Sequence, residues 1–173
     1  DELRAGRLDG FCVGEPWNSV AVAEGLGEVV VAKHELWSNG SEKVLGVTAD
    51  WAAQQPATHA ALIESIVEAC AWLDEPANRR EACEILSRPQ YVNVEAELIE
   101  RSMTGGFVAE PGGEPIETPD FHVFHRYQAN LPWRSHALWL LSQMVRWGAI
   151  DGSTDLNAIA EQTFLPGMYR DAA

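Results

Sequence analysis

Apolar residues recur with helical spacing over much of the chain, most clearly from Pro56 to Leu73. Positions three and four apart lie on one face of a helix, so this repeat predicts a long amphipathic helix. Further helices are predicted at 17–24, 49–55, 79–86, 93–103, 133–150 and 155–163, several of them bounded by capping or stop residues. The tail from Leu165 to Ala173 is predicted to wrap the surface.

Three shorter apolar stretches, at 8–13, 28–32 and 43–48, predict buried strands. The first is interrupted only by Asp9 and Gly10, which suits a strand of a parallel sheet. Strands that give way to a mainly helical second half fit a layered α/β protein. We therefore predict an α/β fold in which a short sheet is covered by several helices.

In two regions the apolar residues recur with neither helical nor strand spacing. Residues 33–41 end in the turn sequence Ser-Asn-Gly-Ser and are predicted to form a loop. Residues 104–133 are rich in proline and glycine and predict a long irregular excursion, with a brief strand at 121–125. Loops of that length within a compact domain are usually functional lids or surface wraps.

Composition narrows the classes of partner. The 173 residues carry a formal net charge of -14, from 12 basic and 26 acidic residues. This excess of acidic residues argues against nucleic acids and anionic membranes as partners, because a protein that binds them needs a basic face. The opening residues lack an initiator methionine and run directly into a predicted core strand, so we expect a piece of a longer protein.

The sequence gives little evidence for a catalytic or metal site. Cys12, Cys70 and Cys83 lack CxxC spacing, and their apolar surroundings favour core packing for all three over a nucleophilic role for Cys12. Unpaired thiols favour a reducing compartment. His122 and His125 stand three apart outside any helical pattern, which favours surface or structural roles over a metal site. We predict no catalytic residue, no cofactor and no metal.

The most informative stretch is Gly14-Glu15-Pro16-Trp17-Asn18, where the first predicted strand turns into a helix. Pro16 suits the first helical position, and the backbone N–H groups of Trp17 and Asn18 would then attract an anion. Glu15 alone is weak evidence for a general base. Trp17 is either an aromatic wall beside these donors or a residue packed under the sheet.

Four tryptophans and two lysines are the remaining candidates. Trp51, Trp72, Trp139 and Trp147 fall at apolar positions of predicted helices, which favours the core. Lys43 follows a turn and is the best candidate counter-charge for an anion, although the sequence alone favours a solvated lysine at a strand end. Lys33, at the other side of the same loop, is its rival.

Four groups of residues in chain order resemble the solute-binding protein family of nitrate and bicarbonate ABC transporters. They are Leu8–Asn18, which holds Gly-Glu-Pro-Trp-Asn; Leu36-Trp37 with Glu42-Lys43-Val44; Trp72-Leu73-Asp74 with Asn78-Arg79; and Ser135–Trp139 with Val145–Gly148. The resemblance implies a type II periplasmic-binding-protein fold, whose two α/β lobes close on a small oxyanion. It also implies a C-terminal fragment. Residues 1–15 then end the second lobe and form the crossing strand, and residues 16–173 are the returning part of the first lobe, with the irregular excursion at 104–133.

By the same resemblance, Gly14, Glu15, Pro16 and Trp17 lie at the cleft, and Lys43 aligns with the lysine that distinguishes nitrate from bicarbonate. Relatives often carry a proline before the Glu-Lys pair, where this chain has Ser41. The implied function is the non-enzymatic binding component of an uptake system for nitrate, nitrite or bicarbonate. Its partners are the transporter's membrane subunits, and its location is the periplasm or a membrane anchor on that side.

Two alternatives accompany this interpretation. The same fold serves as a cytoplasmic nitrate and nitrite sensor that regulates an RNA-binding antiterminator, and the unpaired cysteines favour that variant. Distant relatives perform thiamine-precursor chemistry, which here would require Cys12 as a catalytic residue at the cleft.

Overall fold

The computed structural model describes residues 2–38 and 40–173, most of them in helices and connecting turns. The α-helices are α1 (Trp17–Ala23), α2 (Lys33–Leu36), α3 (Ala49–Gln54), α4 (Pro56–Asp74), α5 (Arg79–Leu86), α6 (Ala96–Met103), α7 (Arg134–Arg146), α8 (Leu156–Thr163) and α9 (Pro166–Ala172). Single 3₁₀ turns occur at Pro76–Asn78 and Arg126–Gln128. Strands β1 (Gly106–Phe107) and β2 (Ile116–Glu117) pair antiparallel, with Gly106 opposite Glu117.

Capping side chains and a glycine fix where several helices begin or end. The Thr48 hydroxyl accepts a hydrogen bond from the N–H of Trp51 at 3.3 Å and caps α3. The Asp155 carboxylate caps α8 in the same way, at 3.0 Å from the N–H of Ala158. Gly25 follows α1 with a φ of +68°, the left-handed conformation that glycine adopts most easily. These ends confirm the predicted helices at 17–24, 49–55 and 155–163 to within a residue.

Contacts divide the chain into two compact units. Unit 1 comprises Asp1–Gly40 and Trp72–Phe124, and unit 2 comprises Ser41–Ala71 and His125–Ala173. In unit 1, α6 packs against α5, α1 and β1. The core of this unit consists of Ala82, Cys83, Ile99 and Met103, surrounded by partly buried apolar side chains that include Leu73, Leu86, Val94 and Phe124.

Unit 2 is built around the packing of α7 on α8. Ala137 and Ala160 are both buried, so small side chains allow close approach. The ring of the buried His59 meets Trp51 edge-on, with the ring centroids 5.7 Å apart. The irregular segment before α7 contributes the buried Leu131.

The predicted strands at 8–13, 28–32 and 43–48 are wrong, since none of these stretches belongs to a strand. Their apolar side chains are largely open to solvent, and Val30 is 89% exposed. An extended segment becomes a strand only when a second segment satisfies its backbone N–H and C=O groups. The apolar pattern shows that these side chains favour a strand, but it does not show whether a second segment lies alongside.

Regular structure also occurs where loops were predicted. Lys33–Leu36 forms α2, the tail contains α9, and the 104–133 excursion contains the β1–β2 hairpin, while the brief strand at 121–125 is absent. The N–H of Ala32 donates to the Glu35 carboxylate at 2.8 Å, which explains how so short a helix begins.

Several predicted core positions are exposed. Cys12 is accessible, because the segment that carries it is not covered. Trp72, Trp139 and Trp147 are also exposed, since helical spacing places residues on one face without requiring that face to meet a neighbour. The burial predicted for Cys83 is confirmed, and Cys70 is half-buried.

Candidate functional site

The Gly14–Asn18 turn leads into α1 much as the sequence predicts. The helix begins at Trp17, and Pro16 is its buried N-cap residue, one position earlier than expected. The Glu15–Pro16 peptide bond is cis. The Asn18 side-chain amide donates to the Val13 carbonyl at 3.0 Å, which closes the turn. Trp17 is 48% exposed, so it is not packed under a sheet.

The donors at the start of α1 are divided between the protein and the solvent. The N–H of Ser19 donates to Glu15 Oε2 at 3.3 Å, and the N–H of Val20 donates to the Pro16 carbonyl at 2.9 Å. No described residue accepts from the backbone N–H groups of Trp17 and Asn18. Two donors therefore have no partner among the described residues, and the Glu15 carboxylate already offsets part of the positive end of the helix.

Sequence reasoning missed the buried polar atoms beneath this turn. Glu15 Oε1 and Ser19 Oγ are buried and have no hydrogen-bond partner among the described residues. Ser19 is completely buried, yet its place between Asn18 and Val20 gave no periodic signal of that burial. An unsatisfied buried oxygen costs about 1 to 3 kcal/mol, so the turn is stabilised by other contacts.

Lys43 lies in segment 41–48, which forms neither helix nor strand and is exposed along its whole length. Its side chain is 84% exposed, and its ammonium lies 3.4 Å from the Glu42 carboxylate. An exposed ion pair of this kind contributes little, so the lysine is accessible to another anion. The rival Lys33 is held differently, because its ammonium donates to the Gly40 carbonyl at 2.9 Å.

Gly14–Trp17 belong to unit 1, and Lys43 belongs to unit 2. Their assignment to one ligand therefore stays a prediction. A second contact near Lys43 had no sequence signal at all: Ser41 Oγ lies 2.7 Å from Nδ1 of His136, 95 positions later.

A buried arginine explains one of the four family landmarks, the group formed by 72–74 and 78–79. The Arg79 guanidinium donates to the carbonyls of Leu73, Met103 and His122 and to the Asp74 carboxylate, at 2.6 to 3.2 Å. Its charge also lies 5.5 Å from the centroid of the Phe124 ring. Because its donors are engaged within the protein, Arg79 organises the fold of unit 1 and is a poor candidate for binding an anion.

Other parts of the chain are poorly suited to ligand chemistry. Over residues 2–38 and 40–173, no group of three or more potential metal-binding side chains occurs. His125 Nδ1 lies 2.8 Å from the Asn130 side-chain oxygen. A shallow depression in unit 1 is lined by Glu28, Glu110 and Glu114, whose charge would repel an anion. Within the described residues, no helix has the length and apolar character needed to cross a membrane.

Comparison with models of protein families shows which family the chain belongs to. The family model of the NMT1-like family matches residues 1–87, half of the chain. The chain belongs to the NMT1-like family. This membership confirms the resemblance found in the sequence.

Individual relatives match over nearly the whole NMT1-like chain. It is 41% identical to the nitrate import ATP-binding protein NrtC of Synechocystis sp., over 98% of this chain and 25% of the relative. It is 38% identical to the bicarbonate transport ATP-binding protein CmpC of the same organism, over 99% of this chain and 26% of the relative. The chain therefore spans about a quarter of the length of these relatives.

A solved structure matches equally fully. The crystal structure of the periplasmic nitrate-binding protein NrtA from Synechocystis superposes with a TM-score of 0.93 at 33% identity, over 99% of this chain and 45% of that chain. The type II periplasmic-binding-protein fold is thus confirmed for this NMT1-like chain, although the individual strand predictions fail.

Proposed function

We propose that this NMT1-like chain is part of the binding component of an ABC uptake system for nitrate, nitrite or bicarbonate. The observation that carries the proposal is the TM-score of 0.93 to a periplasmic nitrate-binding protein over 99% of the chain. The exposed start of α1 and the accessible Lys43 support it, because both offer positive potential in a chain of net charge -14.

In this proposal Gly14, Glu15, Pro16, Trp17 and Lys43 are the ligand-binding residues. Gly14 and Pro16 set the path of the turn, and the N–H groups of Trp17 and Asn18 donate to the oxyanion. The Trp17 ring gives a flat apolar wall beside a planar anion. Lys43 supplies the cation, and its hydrogen bond to a charged oxygen is of the stronger kind. Binding requires no catalytic residue, so the proposed protein is not an enzyme.

The proposed organisation follows the resemblance. Residues 1–15 end the second lobe and cross between lobes, and residues 16–173 return to the first lobe. Anion binding favours the closed arrangement of the lobes, since a ligand shifts a conformational equilibrium by its difference in affinity for the two states. The closed form is then recognised by the membrane subunits of the transporter, on the periplasmic side.

Titration calorimetry on the full-length protein tests this function. We expect heat of binding and a single saturable site with at least one of nitrate, nitrite and bicarbonate, with sulfate and chloride as matched anions that do not compete. The absence of binding to all three oxyanions would contradict the proposal. Competition between nitrate and bicarbonate then identifies the preferred ligand.

A second candidate is a binding module within an ATP-binding subunit. It is favoured by the 41% identity to a nitrate import ATP-binding protein. The 173 residues contain no GxxxxGK[ST] phosphate-binding loop, so nucleotide binding would reside outside the matched quarter of such a protein. Sequencing the rest of the gene separates the candidates, because such a loop in the same reading frame identifies the ATP-binding subunit and excludes the free binding protein.

A further inference from the structure

Ser41 stands two positions before Lys43 and is tied to a distant helix. Its Oγ lies 2.7 Å from Nδ1 of His136, and both residues belong to unit 2. His136 lies in the first turn of α7. The contact therefore links the segment that carries Lys43 to a regular, packed element.

The helix end of this link is well fixed. The N–H of His136 donates to the Trp133 carbonyl at 2.9 Å, within the first turn of the helix. The next residue, Ala137, is buried in unit 2, where α7 packs on α8. The packed helix therefore fixes the backbone at His136, from which the ring reaches Ser41.

The Lys43 end of the link depends on that fixed backbone. Residues 41–48 are exposed and form neither helix nor strand. An extended chain advances about 3.3 to 3.6 Å per residue, so the Cα atom of Lys43 lies within about 7 Å of the Cα atom of Ser41. Fixing Ser41 restricts the volume that the Lys43 ammonium can occupy and reduces the entropy lost when it holds an anion.

We propose that His136, acting through Ser41, is a positioning residue that holds the Lys43 segment ready to bind an oxyanion. This inference rests on the proposed function, in which Lys43 binds the ligand. His136 does not touch the anion in this arrangement. Its imidazole orients the Ser41 hydroxyl, which in turn fixes the backbone that presents the lysine.

Nitrate titrations of the full-length protein test the link through matched substitutions. We expect Ser41→Ala and His136→Ala each to weaken affinity about threefold to tenfold, the worth of one hydrogen bond. The double variant should be no weaker than either single variant, because both remove the same contact. Ser41→Thr keeps the hydroxyl and His136→Asn keeps a polar atom near the Nδ1 position, so both should bind within about twofold of the wild type.

Ser142→Ala is the control. Ser142 also lies on α7, and its hydroxyl donates locally to the Trp139 carbonyl at 2.6 Å. Removing this hydroxyl changes the helix surface without touching the Lys43 segment. Its nitrate affinity should therefore equal that of the wild type.

Amide hydrogen exchange in the absence of ligand gives a second readout. Exchange at residues 42–47 should be faster in Ser41→Ala and His136→Ala than in the wild type, with residues 60–70 of α4 unchanged. Wild-type nitrate binding combined with unchanged affinity and exchange in both variants overturns this inference and leaves the proposed function standing. A wild type that binds no oxyanion overturns the proposed function, and the ligand role of the link with it.

Discussion

The α5–α6 core of unit 1 and segment 41–48 both carry several apolar side chains, yet only those of the core are buried. In the core, Cys83 and Ile99 lie inside, and Arg79 joins the ends of several elements through its buried hydrogen bonds. In the segment, Val44, Leu45 and Val47 are exposed. The difference lies in where the backbone hydrogen bonds are made.

A helix satisfies its backbone within itself and needs only one neighbour for its apolar face. An extended segment needs a second segment alongside for its backbone as well. A hydrophobic pattern therefore suffices to predict α5 and α6, whereas at 41–48 it predicts a preference that the described residues do not satisfy. The same contrast makes the segment, with Lys43, the accessible region and the core the rigid one.

Arg79→Met should have the largest effect on this contrast. The substitution keeps the volume but removes the guanidinium that neutralises the buried Asp74 carboxylate, so we expect a loss of about 3 to 5 kcal/mol in the free energy of unfolding. Arg80→Met is the matched control, because Arg80 is exposed and bridges to Glu100 at 3.4 Å. Urea titration should show a loss of about 0 to 1 kcal/mol for that variant. Equal losses at the two positions would contradict the role given to Arg79.

Ile99→Ala and Val44→Ala compare the two regions directly. The first leaves a cavity in the unit 1 core and should cost about 2 to 5 kcal/mol in the free energy of unfolding. The second shortens an exposed side chain and should change stability by less than about 0.5 kcal/mol. A cost at Val44 close to that at Ile99 would show that segment 41–48 is packed in solution.

Thiol labelling distinguishes core from segment by chemistry. Burial, and then the negative charge of Glu100, raises the pKa of the Cys83 thiol from its ordinary 9.0 to about 11. At pH 8 the fraction of Cys83 present as the reactive thiolate is therefore about 100-fold smaller than for a thiol with the ordinary pKa. Burial also limits the access of a reagent to the sulfur atom. We expect a thiol reagent to label the exposed Cys12 at least about 100-fold faster than Cys83. Mass spectrometry of the labelled peptides measures the two rates. Similar rates at both sites would contradict the burial of Cys83.

The features predicted well from the sequence are those set by neighbouring residues. Helix α1 begins at Trp17, inside the Gly-Glu-Pro-Trp-Asn stretch, because proline and the turn before it restrict the local backbone. The same holds for the stop at Gly25. Each depends on side chains within a few positions, which the sequence displays side by side.

The features that were missed depend on contacts far apart in sequence. Arg79 opens a predicted helix with no sequence signal of its burial, yet its partners include Met103 and His122. Ser41 and His136 lie 95 positions apart, so no spacing rule connects them. Whether Trp139 or Cys12 is covered likewise depends on which other element reaches it, and periodicity along one segment carries no such information.

Nitrate affinity of the Lys43→Ala variant of the full-length protein, measured by titration calorimetry, tests the central claim most directly. Loss of a charge-assisted hydrogen bond, about 1.5 to 3 kcal/mol, should raise the dissociation constant about tenfold to a hundredfold. Lys33→Ala, which removes the lysine bonded to the Gly40 carbonyl, should bind nearly as the wild type does. Unchanged affinity in Lys43→Ala would contradict the account and move the cation's role to Lys33 or elsewhere.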